Sequence, residues 1–243
     1  MDYDPIAEQY KESKALLFRK HVEEHTLFEI IGDIAGESVL DLACGEGIYA
    51  RRMRRDGAAR VVGVDLSEAM IALARAEERR EPLGIDYVVG DAASLGRIGS
   101  FDRVVASYLL NYARTREQLL QFCRTIHENL VEGGRFAGFN NNPAQPLESY
   151  ASSRKYGFIK SGATPQREGD VVRFTNFIDG GEFSLDNYYL SKETHEWAFE
   201  AAGFRSFQWR PPRVSEDGVR LLGAEFWREL LAHAPLIGLE AIK

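Results

Sequence analysis

Val39-Leu-Asp-Leu-Ala-Cys-Gly-Glu-Gly47 decides the fold. A short apolar run ends in a carboxylate, Asp41, and passes into a turn where Gly45 and Gly47 let main chain approach a ligand that a β-carbon would obstruct. The helical stretch that begins at Tyr49 turns its first N–H groups toward the same place. A second apolar run, Val61-Val-Gly-Val-Asp-Leu-Ser67, follows and ends in Asp65, an acidic residue placed to accept both hydroxyls of a ribose. Ser67 then caps a helix, and Met70 in its first turn can lie flat on a purine.

Outward from this segment the same rhythm continues. Apolar runs at Ser38 to Ala43, Arg60 to Asp65, Ile85 to Val89, Phe101 to Ser107 and Gly134 to Phe139 alternate with helical spacing over Tyr49 to Arg55, Ser67 to Arg80 and Arg116 to Leu130. This predicts a parallel sheet with helices on both faces and a ligand at the carboxyl ends of its strands. Pro5 to Ile31 reads as one or two helices with an apolar stripe. After residue 140 the rhythm breaks: Pro143, Pro146 and a polar loop near Ser161 to Gly169 precede two β-rich runs around Asp179-Gly180-Gly181, a hairpin signal. A helix from Ser191 to Ala202, a strand to Trp209, a helix from Gly223 to His233 and a strand from Leu236 to Ile242 complete the pattern, with the late strands making one edge antiparallel. The expected fold is α/β and Rossmann-like, with a seven-stranded, mostly parallel sheet. Residues 1–35 would form a helical cover, 36–142 and 191–243 the core, and 143–190 a β-hairpin lid inserted after the fifth strand.

The 243 residues suit a single globular unit of this kind, and 37 Asp+Glu against 30 Lys+Arg argue against broad contact with a phosphate backbone. Two cysteines are too few for a disulfide framework, no apolar run approaches the roughly 18 residues of a membrane span, and the polar start is unlike a secretory signal. The expectation is a cytoplasmic protein without nucleic-acid or membrane partners, monomeric or homodimeric.

Two ligands compete for the glycine turn. A dinucleotide motif wants three glycines around a pyrophosphate, but Ala43 and Ala50 occupy two of those places and Asp41 would oppose an anion. A carboxylate there suits the cationic amine of a methionine moiety. The third strand adds Gly90-Asp91-Ala92, able to accept a hydrogen bond from an adenine amine. Residues 36 to 140 thus resemble the core of the class I S-adenosylmethionine-dependent methyltransferases: Val39 to Gly47 is similar to their first motif, Val62 to Ser67 to the acidic second strand, Gly90 to Ala92 to the third-strand motif, and Leu130 to Phe136 to the Gly-Gly turn before the fifth strand. Tyr3 to Tyr10, Ala43 to Gly47, Tyr108 to Ala113 and Gly138 to Pro143 also resemble bacterial natural-product methyltransferases of the toxoflavin-pathway type. That second resemblance implies a small, planar, nitrogen-containing heterocycle as acceptor.

The resemblance implies S-adenosylmethionine as cofactor, leaving as S-adenosylhomocysteine, and assigns residues to it. Main chain at Ala43, Gly45 and Gly47 with Asp41 would face the methionine portion, Asp65 the ribose, Leu66 and Met70 the adenine face, and Asp91 with Ala92 its edge. Ser107 and Tyr108 would lie below the sulfonium, Tyr10 would close over the cofactor, and Arg19, or else Lys14, would meet its carboxylate. Because a sulfonium methyl is already activated, holding the acceptor in line with it matters more than a strong base. Tyr10 and Asn111 are the catalytic candidates. Tyr3, Asn111, Tyr112, Asn140, Tyr156, Phe177 and Tyr188 are the acceptor candidates, the aromatic ones roofing a flat ring. O-methylation of a phenol or carboxylate, an RNA substrate, and a binding protein without turnover are the rivals.

Other residues take blander readings. Cys44 is expected to be a buried filler, and His195 an interior imidazole. His21 and His25 have the i, i+4 spacing of a metal pair, but the adjacent Glu23 and Glu24 suggest a wet surface, so no metal site is expected. Arg51, Arg52, Arg54 and Arg55 read as a solvated helix face.

Overall fold

A computed structural model describes residues 7–243. Strands β1 (Ser38–Leu42), β2 (Arg60–Asp65), β3 (Asp86–Val89), β4 (Phe101–Ser107) and β5 (Leu130–Asn141) are joined by helices α3 (Ile48–Arg55), α4 (Glu68–Arg80) and α5 (Arg116–Asn129). Together with β9 (Ser206–Arg210) and β10 (Leu236–Ile242) they make one seven-stranded sheet in the order β3-β2-β1-β4-β5-β10-β9. The first five strands are mutually parallel, and β10 runs antiparallel to both β5 and β9. The seven-stranded, mostly parallel sheet expected from the sequence is present.

Near-continuous apolar runs arise because both faces of the sheet are covered. Val39, Val61, Val105 and Ala137 point to one side, against Phe18, Leu27, Ile31 and Met53 of the amino-terminal half and Trp227. Leu40, Val62, Val104 and Phe136, one residue out of step with these, point to the other side, against Phe122 and Ile126 of α5 and Phe199 of α6 (Lys192–Ala202). The strand period of two therefore divides one hydrophobic run between two cores.

The amino-terminal segment consists of α1 (Ala7–Ser13) and, after a turn, a π-helical stretch Arg19–Glu24 that runs into α2 (His25–Ile31). Beyond β5 the chain forms a second, antiparallel sheet of β6 (Phe158–Gly162), β7 (Val171–Ile178) and β8 (Gly181–Tyr188). The β7–β8 hairpin turns through Asp179-Gly180, as its sequence signals. Strand β6 replaces the beginning of the expected polar loop. Its Lys160-Ser-Gly has no strand-like composition, and the pairing of Phe158 with Asn176 and of Lys160 with Phe174 supplies what local propensity lacks. Two helices, α7 (Glu216–Leu222) and α8 (Ala224–His233), precede β10, the former unforeseen. None of the described helices is long and apolar enough to cross a membrane.

Candidate active site

The strand order reverses between β1 and β4, and there, at the carboxyl ends of the parallel strands, lies a cavity of about 370 Å³. Ala43 and Gly45 follow β1 into its wall, Asp65 and Leu66 close β2, Asp91 and Ala92 follow β3, and Ser107 and Tyr108 close β4. Tyr10 of α1 and Met70 of α4 complete the enclosure. Residues called from the sequence thus converge, and Glu68, Leu109 and Phe122 join them without having given any motif signal.

Asp65 organises this wall. Its Oδ2 accepts the Gly45 N–H at 2.8 Å and its Oδ1 the Ser67 N–H at 2.9 Å, which pins the glycine turn to the start of α4. Gly45 has φ +56°, and a β-carbon there would meet no protein atom within 4 Å. Ala43 (φ 57°) and Tyr108 (φ 64°) are two of the three non-glycine residues with positive φ among those described, and both wall this cavity. Such backbone persists where the surroundings over-determine it, commonly at sites of function. Leu66 remains 58% exposed, while Met70 beside it is buried.

Asp41 sits slightly behind, in a smaller adjoining cavity of about 20 Å³ shared with Tyr10, Lys14, Gly45 and Ser107. It is buried, and its Oδ2 has no hydrogen-bond partner, nor has the Ser107 Oγ. Burial first, and then the nearby Asp65 carboxylate, pushes Asp41 up to about 8. Asp65 is raised too, chiefly by burial, against the opposing effect of its backbone hydrogen bonds. Two carboxylates walling adjoining cavities call for a cation.

Two of the sequence assignments lie elsewhere. Gly47 is the N-cap of α3 with φ 82°, and a β-carbon on it would come within 2.4 Å of the Tyr87 Oη, so its smallness serves the packing of β3. Arg19 does not reach the 370 Å³ cavity. Its guanidinium is buried, donating to Glu23 Oε2 at 3.0 Å and to Asn176 Oδ1 at 3.2 Å. Lys14, the second choice for a carboxylate partner, is the cation beside Asp41.

The wet surface expected around Glu23 is absent. Glu23 is wholly buried and accepts from Tyr49 (2.6 Å), Tyr108 (2.7 Å) and Arg19, with the Lys14 ammonium 3.9 Å away. Burial alone would raise its carboxyl, but Arg19, Lys14 and the two phenols outweigh that and hold it below the usual carboxylate range. The π-helical turn carries Arg19 and Glu23 on one side, a local widening of the helix often found at functional sites. His21 is also buried, against the Ser215 Oγ at 2.9 Å, whereas His25 lies beside Glu29. Among the described residues no group of three or more His, Cys, Asp or Glu is arranged to hold a metal. The arginine run on α3 is not a free face either: Arg51 is buried against Glu78 and Glu81, and Arg54 donates to the Leu83 carbonyl. Cys44 packs near Gly63 with its thiol pushed well up by burial, and His195 is an interior imidazole whose Nδ1 lies 2.9 Å from the Ser191 carbonyl.

The acceptor candidates divide. Tyr112 lines the 370 Å³ cavity and also a neighbouring one of about 20 Å³, where Asn111 meets β7 and β8. Asn140 accepts from the Asn111 N–H at 3.2 Å, and it and Tyr188 line a third small cavity. Tyr156 belongs to the core: it stacks on Trp227, donates to the Phe226 carbonyl and accepts from the Leu230 N–H. Phe177 borders none of these cavities and lies under the Arg154 guanidinium. Both are aromatic residues of the insertion whose orientation only packing settles. Tyr3 falls outside the described residues.

Residues 39–134 match the family model of a methyltransferase domain. The chain carries a methyltransferase domain. It is 25% identical over 169 residues to N-demethylindolmycin N-methyltransferase of Streptomyces griseus, covering 68% of each chain. To the ubiquinone biosynthesis O-methyltransferase of Stutzerimonas stutzeri it is 31% identical over 163 residues, 63% of this chain and 64% of that one, so the match spans under two thirds of that relative's length. An S-adenosylmethionine dependent methyltransferase from Mesorhizobium loti shares its fold with a TM-score of 0.66 at 22% identity, over 95% of this chain and 100% of that one.

The donor set fits S-adenosylmethionine as cofactor. The unpartnered Asp41 oxygen matches an ammonium, the Lys14 ammonium beside it a carboxylate, and the open space at Gly45 allows close main-chain approach. A testable consequence follows from Asp41. With its carboxyl raised above the unfolded value, wild-type stability falls as pH rises from about 4 through about 8, because the buried site resists ionisation that the unfolded chain accepts. Asp41→Asn removes that dependence. The cofactor-free variant is expected to be more stable than wild type by on the order of 1–3 kcal/mol at pH 8, with the difference vanishing below pH about 4, while binding S-adenosylhomocysteine at least tenfold more weakly. Melting curves across this window, paired with calorimetry, check it; an advantage over wild type no larger at pH 8 than at pH 4 would contradict the burial argument.

Proposed function

We propose that the enzyme transfers a methyl group from S-adenosylmethionine to a nitrogen, or a carbon, of a small planar heteroaromatic metabolite, in secondary metabolism and in the cytoplasm. The observation that carries this reading is the adjacency of two spaces at the strand ends: the 370 Å³ cavity and the small cavity beside β7 and β8 have Tyr10, Tyr108 and Tyr112 as common walls. The cofactor supplies an activated, positively charged methyl donor. Asp41 and Lys14 hold its amino-acid end, Asp65 its ribose hydroxyls, and Asp91 with Leu66 and Met70 its adenine. Tyr10 borders three of the four cavities and closes over both ligands. The β6–β8 sheet acts as the lid over the acceptor.

Among the described residues no side chain at the junction is suited to strong base catalysis. Tyr108 donates its proton to Glu23, and burial first, then that carboxylate, pushes its phenol well up. Orientation and exclusion of water therefore carry the rate, which suits a ring nitrogen whose proton leaves late. The N-methyltransferase relative supports nitrogen; the O-methyltransferase relative supports the rival.

Incubation with labelled S-adenosylmethionine and a panel of azaheterocycles, phenols and carboxylic acids, with products located by mass spectrometry and NMR, tests the reading. Methyl on ring nitrogen or carbon is expected. Methyl on oxygen only, or cofactor binding without turnover on any class, would replace it.

A further inference from the structure

The small cavity between Asn111 and the β7–β8 hairpin is polar in an unusual way. Its apolar walls are Phe174 and Leu185, and three buried polar residues complete it: Arg19, Asn111 and Asn187. Each carries polar atoms without a hydrogen-bond partner. Arg19 leaves Nε unpartnered, Asn187 leaves Nδ2, and Asn111 leaves both Nδ2 and Oδ1. Buried amides and guanidinium N–H groups are almost always satisfied, because leaving one dry costs about 1–3 kcal/mol. Three such residues around one cavity are therefore waiting for a partner.

The excess is of donors: three N–H-bearing atoms against one carbonyl oxygen. Charge is not what they ask for, since Arg19 is already paired with Glu23. About 20 Å³ is room for one oxygen atom, as a water would show, and not for a ring. The cavity has Tyr10, Tyr108 and Tyr112 in common with the larger one, which puts an oxygen seated here next to the space where an acceptor would face the cofactor.

We propose that this cavity is a carbonyl socket: Arg19, Asn111 and Asn187 recognise a ring oxo group, so the acceptors are oxo-substituted azaheterocycles, cyclic amides or imides, rather than plain aromatic amines. The inference deepens the heterocycle reading above and rests on it. Asn187 is the specificity residue contributed by the insertion. Its Oδ1 accepts from Asn141 Nδ2 at 2.9 Å, and in that orientation its Nδ2 is the free donor. Asn111 has neither amide atom engaged and can turn to suit a neighbouring ring N–H.

The test uses two bicycles of one shape, quinazoline-2,4-dione and unsubstituted quinazoline, added to the full-length enzyme saturated with S-adenosylhomocysteine. Calorimetry is expected to show the dione bound at least tenfold more tightly. In Asn187→Asp the bond from Asn141 is kept but the free donor is replaced by an acceptor, and the preference should fall to about twofold or less. Affinity for S-adenosylhomocysteine should stay unchanged, since Asn187 does not border the larger cavity. Asn187→Ala provides a second variant in which only the side-chain amide is lost, with the same expected result. Equal or absent binding of the two bicycles by wild type overturns the socket, as does a preference that survives both variants, which would make the cavity a site for buried water alone. If the dione is preferred and then left unmethylated with S-adenosylmethionine present, the socket stands and the transfer reading fails.

Discussion

Asp65→Ala is expected to weaken S-adenosylhomocysteine binding by at least about 100-fold. Two ribose hydroxyls donating to one carboxylate contribute on the order of 1.5–3 kcal/mol each, and the lower end of their sum already exceeds two powers of ten. The structure adds a second loss. The same carboxylate holds the N–H groups of Gly45 and Ser67, so its removal frees the glycine turn and the entrance to α4 together. Asp65→Asn should be milder, because its single carbonyl can still accept one of those N–H groups, although the charge and the other acceptor are lost. Titration calorimetry on both variants is the measurement. A loss under tenfold in the alanine variant would take Asp65 out of the binding site.

The second large effect is one of stability. Glu23→Leu leaves the Arg19 guanidinium buried without its carboxylate and the phenols of Tyr49 and Tyr108 without their acceptor. Removing one partner of a buried ion pair costs about 3–5 kcal/mol. In a chain of this length that corresponds to a fall in Tm of roughly 6–20 °C. Because Glu23 is held below its ordinary value of 4.5, the stability it confers is present above that pH and is lost as pH falls through its folded value. The gap between wild type and Glu23→Leu should thus be full at pH 7 and shrink in acid. The pair Glu23→Leu with Arg19→Met should recover much of the loss at pH 7, since no unpaired charge remains. Melting curves that show a gap independent of pH, or no recovery in the double variant, would refute the ion-pair account.

Both predictions begin at residues whose visibility in the sequence differs. Asp65 could be read directly: it ends a Val-rich run and precedes a capping Ser67, so its position on a strand tip follows from the period of the strand. Asp41 and Asp91 were legible in the same way. Glu23 was not. Its neighbours in sequence are charged and polar, and the groups that bury it come from α3, from the end of β4 and from one turn earlier in the helix. Arg19 shows the converse error. A cation on a helix before the glycine turn was a reasonable partner for a carboxylate, yet its hydrogen bond to Asn176 of β7, distant in sequence, directs it toward the insertion.

The same division runs through the glycines and the aromatic residues. Gly45 and Gly47 look equivalent in the sequence, but only Gly45 borders the cavity, and the Tyr87 ring decides that. Tyr112 and Tyr156 look equally able to cover a ring, and Trp227 draws Tyr156 into the core. The alternation of apolar runs, glycine turns and helical spacing was sufficient to specify the sheet and the acidic strand tips, because backbone geometry is set by residues within a few positions of one another. Which cation is spent in an ion pair, which amides are left without partners, and where the acceptor's oxygen could sit depended on side chains brought together from distant parts of the chain. Such meetings leave no periodic trace, since the free energy that favours them appears only once the sheet and the insertion have packed.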